Sequence, residues 1–228
     1  MPKGPKVKFQ SEAELFNYLE ENAYASVFSD ILDELGHRFQ VISPHSGIHP
    51  LERTFVVAGR AVTLLNERDD DEYEPYDAVI KCIDSLDPDT VLVATSSDAF
   101  DVGIMGELTA TALRARRNRG AIINGYSRDV RKLIEMKFPV FAWGPSPIDT
   151  TGRARVTNYN IPIIVGGVRV SPGDLVFADL DGIVVVPKDL ESRVIAEVIE
   201  RINTENAVRR ELAAGRRMAE VWGKYHVL

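Results

Sequence analysis

Two hydrophobic periods alternate along the chain, and the switches between them mark a helical start, a middle of alternating helices and strands, and an end rich in hairpins. Residues 11–36 carry apolar side chains at helical spacing: Leu15, Phe16 and Leu19 form one stripe, and Ile31, Leu32 and Leu35 repeat it before Gly36. Ser11 with Glu14 three residues on is a capping box. Val27-Phe28-Ser29-Asp30 is expected to open a second helix capped by Ser29 or Asp30. Residues 37–53, with Pro44, Gly47 and Pro50, read as loop. Residues 54–64 are a β-branched strand in which Gly59 is a candidate bulge.

The middle predicts a helix over 76–86, a buried strand over 90–95, a helix over 106–119 ended by Gly120, a strand over 121–125, a short helix over 129–137 and a strand over 138–142. Strands separated by helices imply parallel pairing through crossovers. After Gly144 comes a loop rich in Pro, Thr and Gly (145–153). Strands are then expected at 161–165, 168–170, 175–178 and 183–186, punctuated by Gly166-Gly167, Pro172-Gly173-Asp174 and Asp181-Gly182. A long helix from Leu190 to about Ala214 ends at Gly215. The whole predicts one α/β domain over 1–228, with mixed parallel and antiparallel strands in three layers. Residues 1–10 are expected to form a mobile leader, and the C-terminal helical segment 190–228 is expected at a subunit interface.

Composition narrows the class. The chain has 228 residues, 45% of them hydrophobic, and a net charge of −7, so it can bury a core without staples and is a poor partner for phosphate backbones. Nucleic acid and membrane are therefore not expected partners; no stretch reaches the roughly 20 apolar residues that a bilayer requires. A single cysteine, Cys82, excludes an internal disulfide framework and a multi-Cys zinc site, which makes a reducing cytoplasm the default compartment.

Candidate chemistry collects after two strands. Gly106-Glu107-Leu108-Thr109 opens the helix that follows strand 90–95, where unpaired amides and the helix dipole favour an anion. Alone, Glu107 could merely complement the dipole. Tyr126-Ser127-Arg128-Asp129 follows strand 121–125 at the same sheet edge; alone, Asp129 could merely cap the next helix. Taken together, Glu107 and Asp129 offer hard oxygen ligands, Arg128 a permanent planar cation, and the 106–109 amides an anion cradle. Mg2+ suits one or two carboxylates completed by substrate oxygens, and a small 2-oxo acid would chelate it. Elsewhere, His45 and His49 read as loop residues instead of a zinc site. Asp69-Asp70-Asp71-Glu72 reads as a solvated loop or a pocket rim. Arg114, Arg116, Arg117 and Arg119 could face an acidic partner. Lys81, Lys132, Lys137 and Lys188 lie on helices or their ends, in water, which argues against Schiff-base chemistry.

Glu107, the twenty residues 108–127 and then Arg128-Asp129 resemble the acidic-x20-Arg-Asp motif of the 4-hydroxy-4-methyl-2-oxoglutarate aldolase family, which includes proteins named regulators of ribonuclease E activity. Further matches are Ser29-Asp30-Ile31-Leu32-Asp33, Gly120-Ala121-Ile122-Ile123-Asn124-Gly125, Phe138-Pro139-Val140-Phe141-Ala142, Pro172-Gly173-Asp174 and the run from Asp179 to Pro187. The resemblance implies a β/β/α swivelling-domain fold, a homotrimer or homohexamer with sites between subunits, and a class II, Mg2+- or Mn2+-dependent retro-aldol cleavage releasing pyruvate, with oxaloacetate decarboxylation through the same enolate. By position, Asp129 would ligate the metal, Glu107 would hold it through water, and Arg128 would bind substrate oxygens and promote proton transfer. Gly106, Glu107, Leu108 and Thr109 would cradle the carboxylate. A neighbour's Glu205 matches a tail glutamate that approaches the site in some relatives. Two departures stand out: Glu107 is one methylene longer than the family's frequent Asp, and Asp71-Glu72-Tyr73 replaces an Asp-Asn pattern. The alternative is a non-enzymatic regulator that binds a ribonuclease or another protein.

Overall fold

The computed structural model describes residues 8–69, 76–96 and 101–227; the expectations placed on residues 1–7 and on Asp70, Asp71, Glu72 and Tyr73 lie outside them. Helices α1 (Glu12–Asn22) and α2 (Ala25–Glu34) lead through a short 3-10 turn (Pro44–Ser46) to β1 (His49–Pro50) and the long β2 (Val57–Arg68). Then α3 (Asp77–Asp84), β3 (Thr90–Ser96), β4 (Gly103–Met105), α4 (Glu107–Ala115), β5 (Gly120–Asn124), β6 (Tyr126–Ser127), α5 (Val130–Glu135) and β7 (Val140–Ala142) alternate. Strands β8 (Ala154–Tyr159), β9 (Ile163–Val165), β10 (Val168–Val170), β11 (Leu175–Ala178) and β12 (Ile183–Val186) precede α6 (Glu191–Ala213) and α7 (Met218–Tyr225).

The main sheet runs β1-β7-β5-β3-β2-β11-β12, with β8 paired to the distal part of β2. Strands β2, β3, β5 and β7 are parallel, and β1, β8, β11 and β12 run antiparallel to their neighbours. Because side chains alternate across a strand, the sheet packs on both faces. Val91, Val93, Ile122 and Phe141 meet Ile163, Val165, Val168 and Val170 of the β9–β10 hairpin. On the other face Leu92, Ala94 and Ile123 meet Cys82, Leu113 and Leu133 of α3, α4 and α5. On that same face, α1, α2 and α6 pack Phe16, Phe28, Leu32, Val194 and Val198 against Phe177 and Val184. The result is three layers, hairpin on sheet on helices, as the pattern predicts.

Where the two helical groups meet, Phe16 is fully buried and its ring is approached by the guanidinium groups of Arg60 and Arg119, each 5.6 Å from its centre. Arg60 is held by Glu12 and Glu191, and Arg119 by Glu20 at 2.7 Å and Asp89 at 3.2 Å. Arg119 is thus an internal tie of the fold. Arg116 pairs with Asp84 at 2.7 Å, and Arg114 donates to the Met136 carbonyl. The arginine cluster is spent largely on the chain itself.

Several local expectations change. Helix α2 begins at Ala25, so Ser29 and Asp30 lie inside it; its first amide is satisfied from afar by Asp179 Oδ2 at 2.9 Å, which makes a local cap unnecessary. Helix α4 stops at Ala115, Arg117 takes the left-handed conformation (φ 61°), and Gly120 starts β5 instead of ending the helix. Strands β1 and β6 fall in stretches read as loop, and β4 and β8 in stretches given no element; β1, β4 and β6 are only two or three residues long. Gly59 pairs in regular register with Val176, and the irregularity of β2 lies between Leu65 and Asn66. The glycine serves close approach: a Cβ there would sit 2.8 Å from the Asp89 carbonyl oxygen and 2.9 Å from Val91 Cγ2. We therefore expect Gly59→Ala to lower stability by about 1–3 kcal/mol, the cost typical of overpacking, measured by urea denaturation; an unchanged midpoint would contradict this account.

Candidate active site

The loops that follow β3, β5 and β7 lie at the carboxyl ends of parallel strands, the edge at which open α/β sheets bind ligands. Strands β4 and β6 pair in parallel, Gly103 with Tyr126 and Met105 with Ser127. Residues 144–148 run beside them: Ser146 N donates to the Ser127 carbonyl and Gly103 N to the Ile148 carbonyl, both at 2.8 Å. Three chain segments are thereby fixed side by side, bringing Glu107, Arg128, Asp129 and Asp149 together.

Asp129 occupies the position before α5 with φ 55° and ψ 28°, a left-handed backbone that Asp tolerates better than most residues. Its carbonyl starts α5 by accepting from Lys132 N at 2.7 Å, while its side chain makes no cap bond there. The carboxylate turns instead to the start of α4, where Oδ2 accepts from the Glu107 amide at 3.1 Å. The capping reading of Asp129 is thus set aside by its geometry. The approach requires Gly106, whose hypothetical Cβ would lie 2.4 Å from Asp129 Oδ2 and 2.9 Å from Arg128 Cγ. Of the expected cradle, the Glu107 amide is taken by Asp129. The amides of Leu108 and Thr109, in the first turn of α4, have no carbonyl partner in a preceding turn. Leu108 projects into solvent at 78% exposure. The Glu107 side chain accepts from Thr111 Oγ1 at 2.9 Å.

Arg128 N donates to the Met105 carbonyl at 2.8 Å, and its Nε lies 3.7 Å from Asp129 Oδ2. Its Nη1 donates to Asp149 Oδ1 at 2.5 Å. Asp149 also accepts from Thr151 Oγ1 at 2.7 Å and from the Tyr76 hydroxyl at 2.9 Å. Burial pushes the Asp149 carboxyl upward, but the bonds from Thr151, Tyr76 and the Thr150 amide, with the charge of Arg128, outweigh it and hold the group below its ordinary value. Sequence reasoning missed Asp149, Thr151 and Tyr76. The first two sit in the Pro/Thr/Gly-rich loop 145–153, and their only signal was an acid and a hydroxyl following a strand that is parallel to the others.

The remaining candidates separate from this cluster. Glu205 lies on α6, where burial raises its carboxyl, Arg201 and Arg209 oppose that and Asp30 adds to it; among the described residues nothing brings it to Arg128. His45 is in the 3-10 turn, and His49, in β1, lies 2.9 Å from the Gly47 carbonyl through Nδ1. Lys81, Lys132, Lys137 and Lys188 are all exposed, so none has the desolvation a Schiff-base lysine needs. Among the described residues no three His, Cys, Asp or Glu side chains form a closed ligand set, and no helix is long and apolar enough to cross a membrane.

The fold is thus a three-layer α/β arrangement with carboxylates and an arginine gathered at its strand ends. The chain belongs to the RraA-like family, described as Aldolase/RraA, whose model matches residues 26–185. It is 29% identical over 168 residues to a Halalkalibacterium halodurans protein named "Putative 4-hydroxy-4-methyl-2-oxoglutarate aldolase", covering 74% of this chain and 77% of that protein. It is 28% identical over 214 residues to Protein DlpA of Legionella pneumophila; the match takes in 92% of this chain but spans only 34% of that protein. Among solved structures, Streptomyces coelicolor RraAS2, described as an unusual member of the RNase ES inhibitor RraA family, superposes with a TM-score of 0.77 at 26% identity, over 87% of this chain and 98% of that one.

The depressed Asp149 carboxyl gives a pH expectation. Its interactions are complete above the ordinary aspartate value, about 3.9, and are lost only as pH falls through the lower folded value. Carboxyl NMR should show Asp149 titrating below a free aspartate, and Arg128→Ala should move that titration upward. A titration unmoved by Arg128→Ala would mean that the pair is not formed in solution.

Proposed function

We propose that this chain is a divalent-metal-dependent carbon–carbon lyase that cleaves a 4-hydroxy-2-oxo acid to pyruvate by retro-aldol chemistry, and that the same site decarboxylates oxaloacetate. The observation that carries the reading is the posture of Asp129, a left-handed residue that forgoes capping its own helix and lays its carboxylate beside Arg128 and the start of α4.

The donor set fits Mg2+ or Mn2+. Asp129 Oδ1 has no hydrogen-bond partner among the described residues, and Glu107 offers a second carboxylate. Sites with one or two carboxylates, completed by water and substrate oxygens, suit magnesium. Asp129 would hold the ion directly and Glu107 would hold it through water. When bound, the ion supplies Lewis acidity at the 2-keto oxygen, where charge grows as the C3–C4 bond breaks. The open amides of Leu108 and Thr109 would receive the substrate carboxylate. Arg128, permanently charged, would orient the substrate oxygens and offset the developing enolate. In oxaloacetate the departing group is carbon dioxide, and the same residues face the same enolate.

We further propose a trimeric or hexameric assembly with the C-terminal helices at an interface. That reading is supported by the exposure of Met218 and Trp222 on α7, at 60% and 46%. A single cysteine, the buried Cys82, is in keeping with the reducing cytoplasm we propose as its compartment.

Pyruvate release from 4-hydroxy-2-oxo acids, followed with a coupled assay, should vanish on chelation and return with Mg2+ or Mn2+. Asp129→Ala should abolish turnover, and Arg128→Lys should lower kcat by about 10²–10³-fold, as removal of a transition-state donor does. Undiminished turnover in metal-free buffer would overturn the reading. Tight capture of a ribonuclease together with no lyase activity would favour the regulator instead.

A further inference from the structure

We infer that Asp149 is a positioning residue for Arg128, locked in place by the hydroxyls of Tyr76 and Thr151 so that the guanidinium is oriented before any ligand arrives. The inference rests on the proposed lyase reading for its kinetic consequence, but its geometric part stands alone.

Four observations converge. Arg128 is fixed at its base by the bond from its amide to the Met105 carbonyl, and its Cβ and Cγ press on the bare backbone of Gly103 and Gly106, where any added Cβ would lie 2.8 and 2.9 Å away. At its tip, Nη1 donates to Asp149 Oδ1. Asp149 Oδ2 is in turn held by Thr151 at 2.7 Å and Tyr76 at 2.9 Å. The backbone leading to Asp149 is tied to both loops of the site, through Ser146 to Ser127 and through Gly103 to Ile148.

This pattern is not explained by stability. The Arg128 and Asp149 side chains are 37% and 39% exposed, and pairs so wet add little to folding. Two further hydroxyls spent on one half-exposed carboxylate instead fix a direction. An arginine left free would sample many rotamers and lose that freedom on binding its ligand, whereas one held by a rigid acceptor has lost it already. Among the described residues Nη1 donates to Asp149 Oδ1 and Nε lies 3.7 Å from Asp129 Oδ2, an arrangement in which Nη2 is the nitrogen offered to a substrate oxygen. Asp149 itself need not touch the substrate.

The test uses the full chain with Asp149→Asn, Tyr76→Phe and Thr151→Val. Two-dimensional NMR of the arginine Nε–H groups, with the Arg128 signal assigned by its loss in Arg128→Lys, reads side-chain order without metal or turnover. The wild type should give a slowly exchanging Arg128 signal. Asp149→Asn should broaden it and speed its exchange at least tenfold, with the thermal midpoint nearly unchanged. In the pyruvate assay the same variant should lose about 10–100-fold in kcat, with KM moved less than threefold. Tyr76→Phe and Thr151→Val should each lose less and add little on top of Asp149→Asn. Should Asp149→Asn fail to fold, the two hydroxyl variants carry the same test. An Arg128 signal and kinetic constants within twofold of wild type would overturn the proposal. A wild type without lyase activity whose Arg128 signal still responds to Asp149→Asn would overturn the lyase reading and keep the positioning role.

Discussion

One hydrogen bond, from the Glu107 amide to the Asp129 carboxylate, joins the loop after β3 to the loop after β5, and the arrangement of the site depends on it. Two features permit it. Gly106 has no side chain to stand between the partners, and Asp129 accepts a backbone conformation that is costly for most residues and bearable for an aspartate. Strain of this kind, of order 1–3 kcal/mol, persists only where the surroundings over-determine it. Here the surroundings are the β4–β6 pairing and the adjacent 144–148 segment, which leave the loop no other path.

Those loops are rigid because of what lies beneath them. The parallel strands β2, β3, β5 and β7 are buried on both faces, so their register is set by side chains that cannot change sides without exposing a core. Farther from the site, Phe16 in contact with Arg60 and Arg119 joins the helices of the antiparallel half to the strand starts of the parallel half. Both ends of the parallel strands are therefore anchored, one by the cation–aromatic contacts of Phe16 and the other by the loops that carry Arg128 and Asp149.

Much of this was legible in the residues, and what was not has physical causes. The β-branched run at 90–95 and the turn pairs Gly166-Gly167 and Asp181-Gly182 act locally, so the elements they mark appear where expected. The start of α2 was misplaced because its cap is Asp179, 154 residues away, and no local pattern can report that. Gly59 looked like a bulge because sequence shows that a side chain is missing but not which neighbour needs the space. Glu107, Arg128 and Asp129 were legible through spacing and resemblance. Asp149 was not, because its role arises only once a loop after a third parallel strand is laid beside the first two.

The charge of the site connects its parts. Asp129 and Asp149 place two carboxylates beside a single guanidinium, with Glu107 starting the neighbouring helix, in a chain that already carries a net charge of −7. With Arg128 already spanning both carboxylates, a 2-oxo acid approaching alone would meet like charge at short range and only part of one cation. A divalent ion bound by Asp129 would balance the excess and leave the guanidinium free to direct its remaining N–H groups outward. On the proposed reading, then, the acids do more than recruit a metal: they make substrate affinity conditional on it, while Asp149 keeps Arg128 oriented whether or not the ion is there.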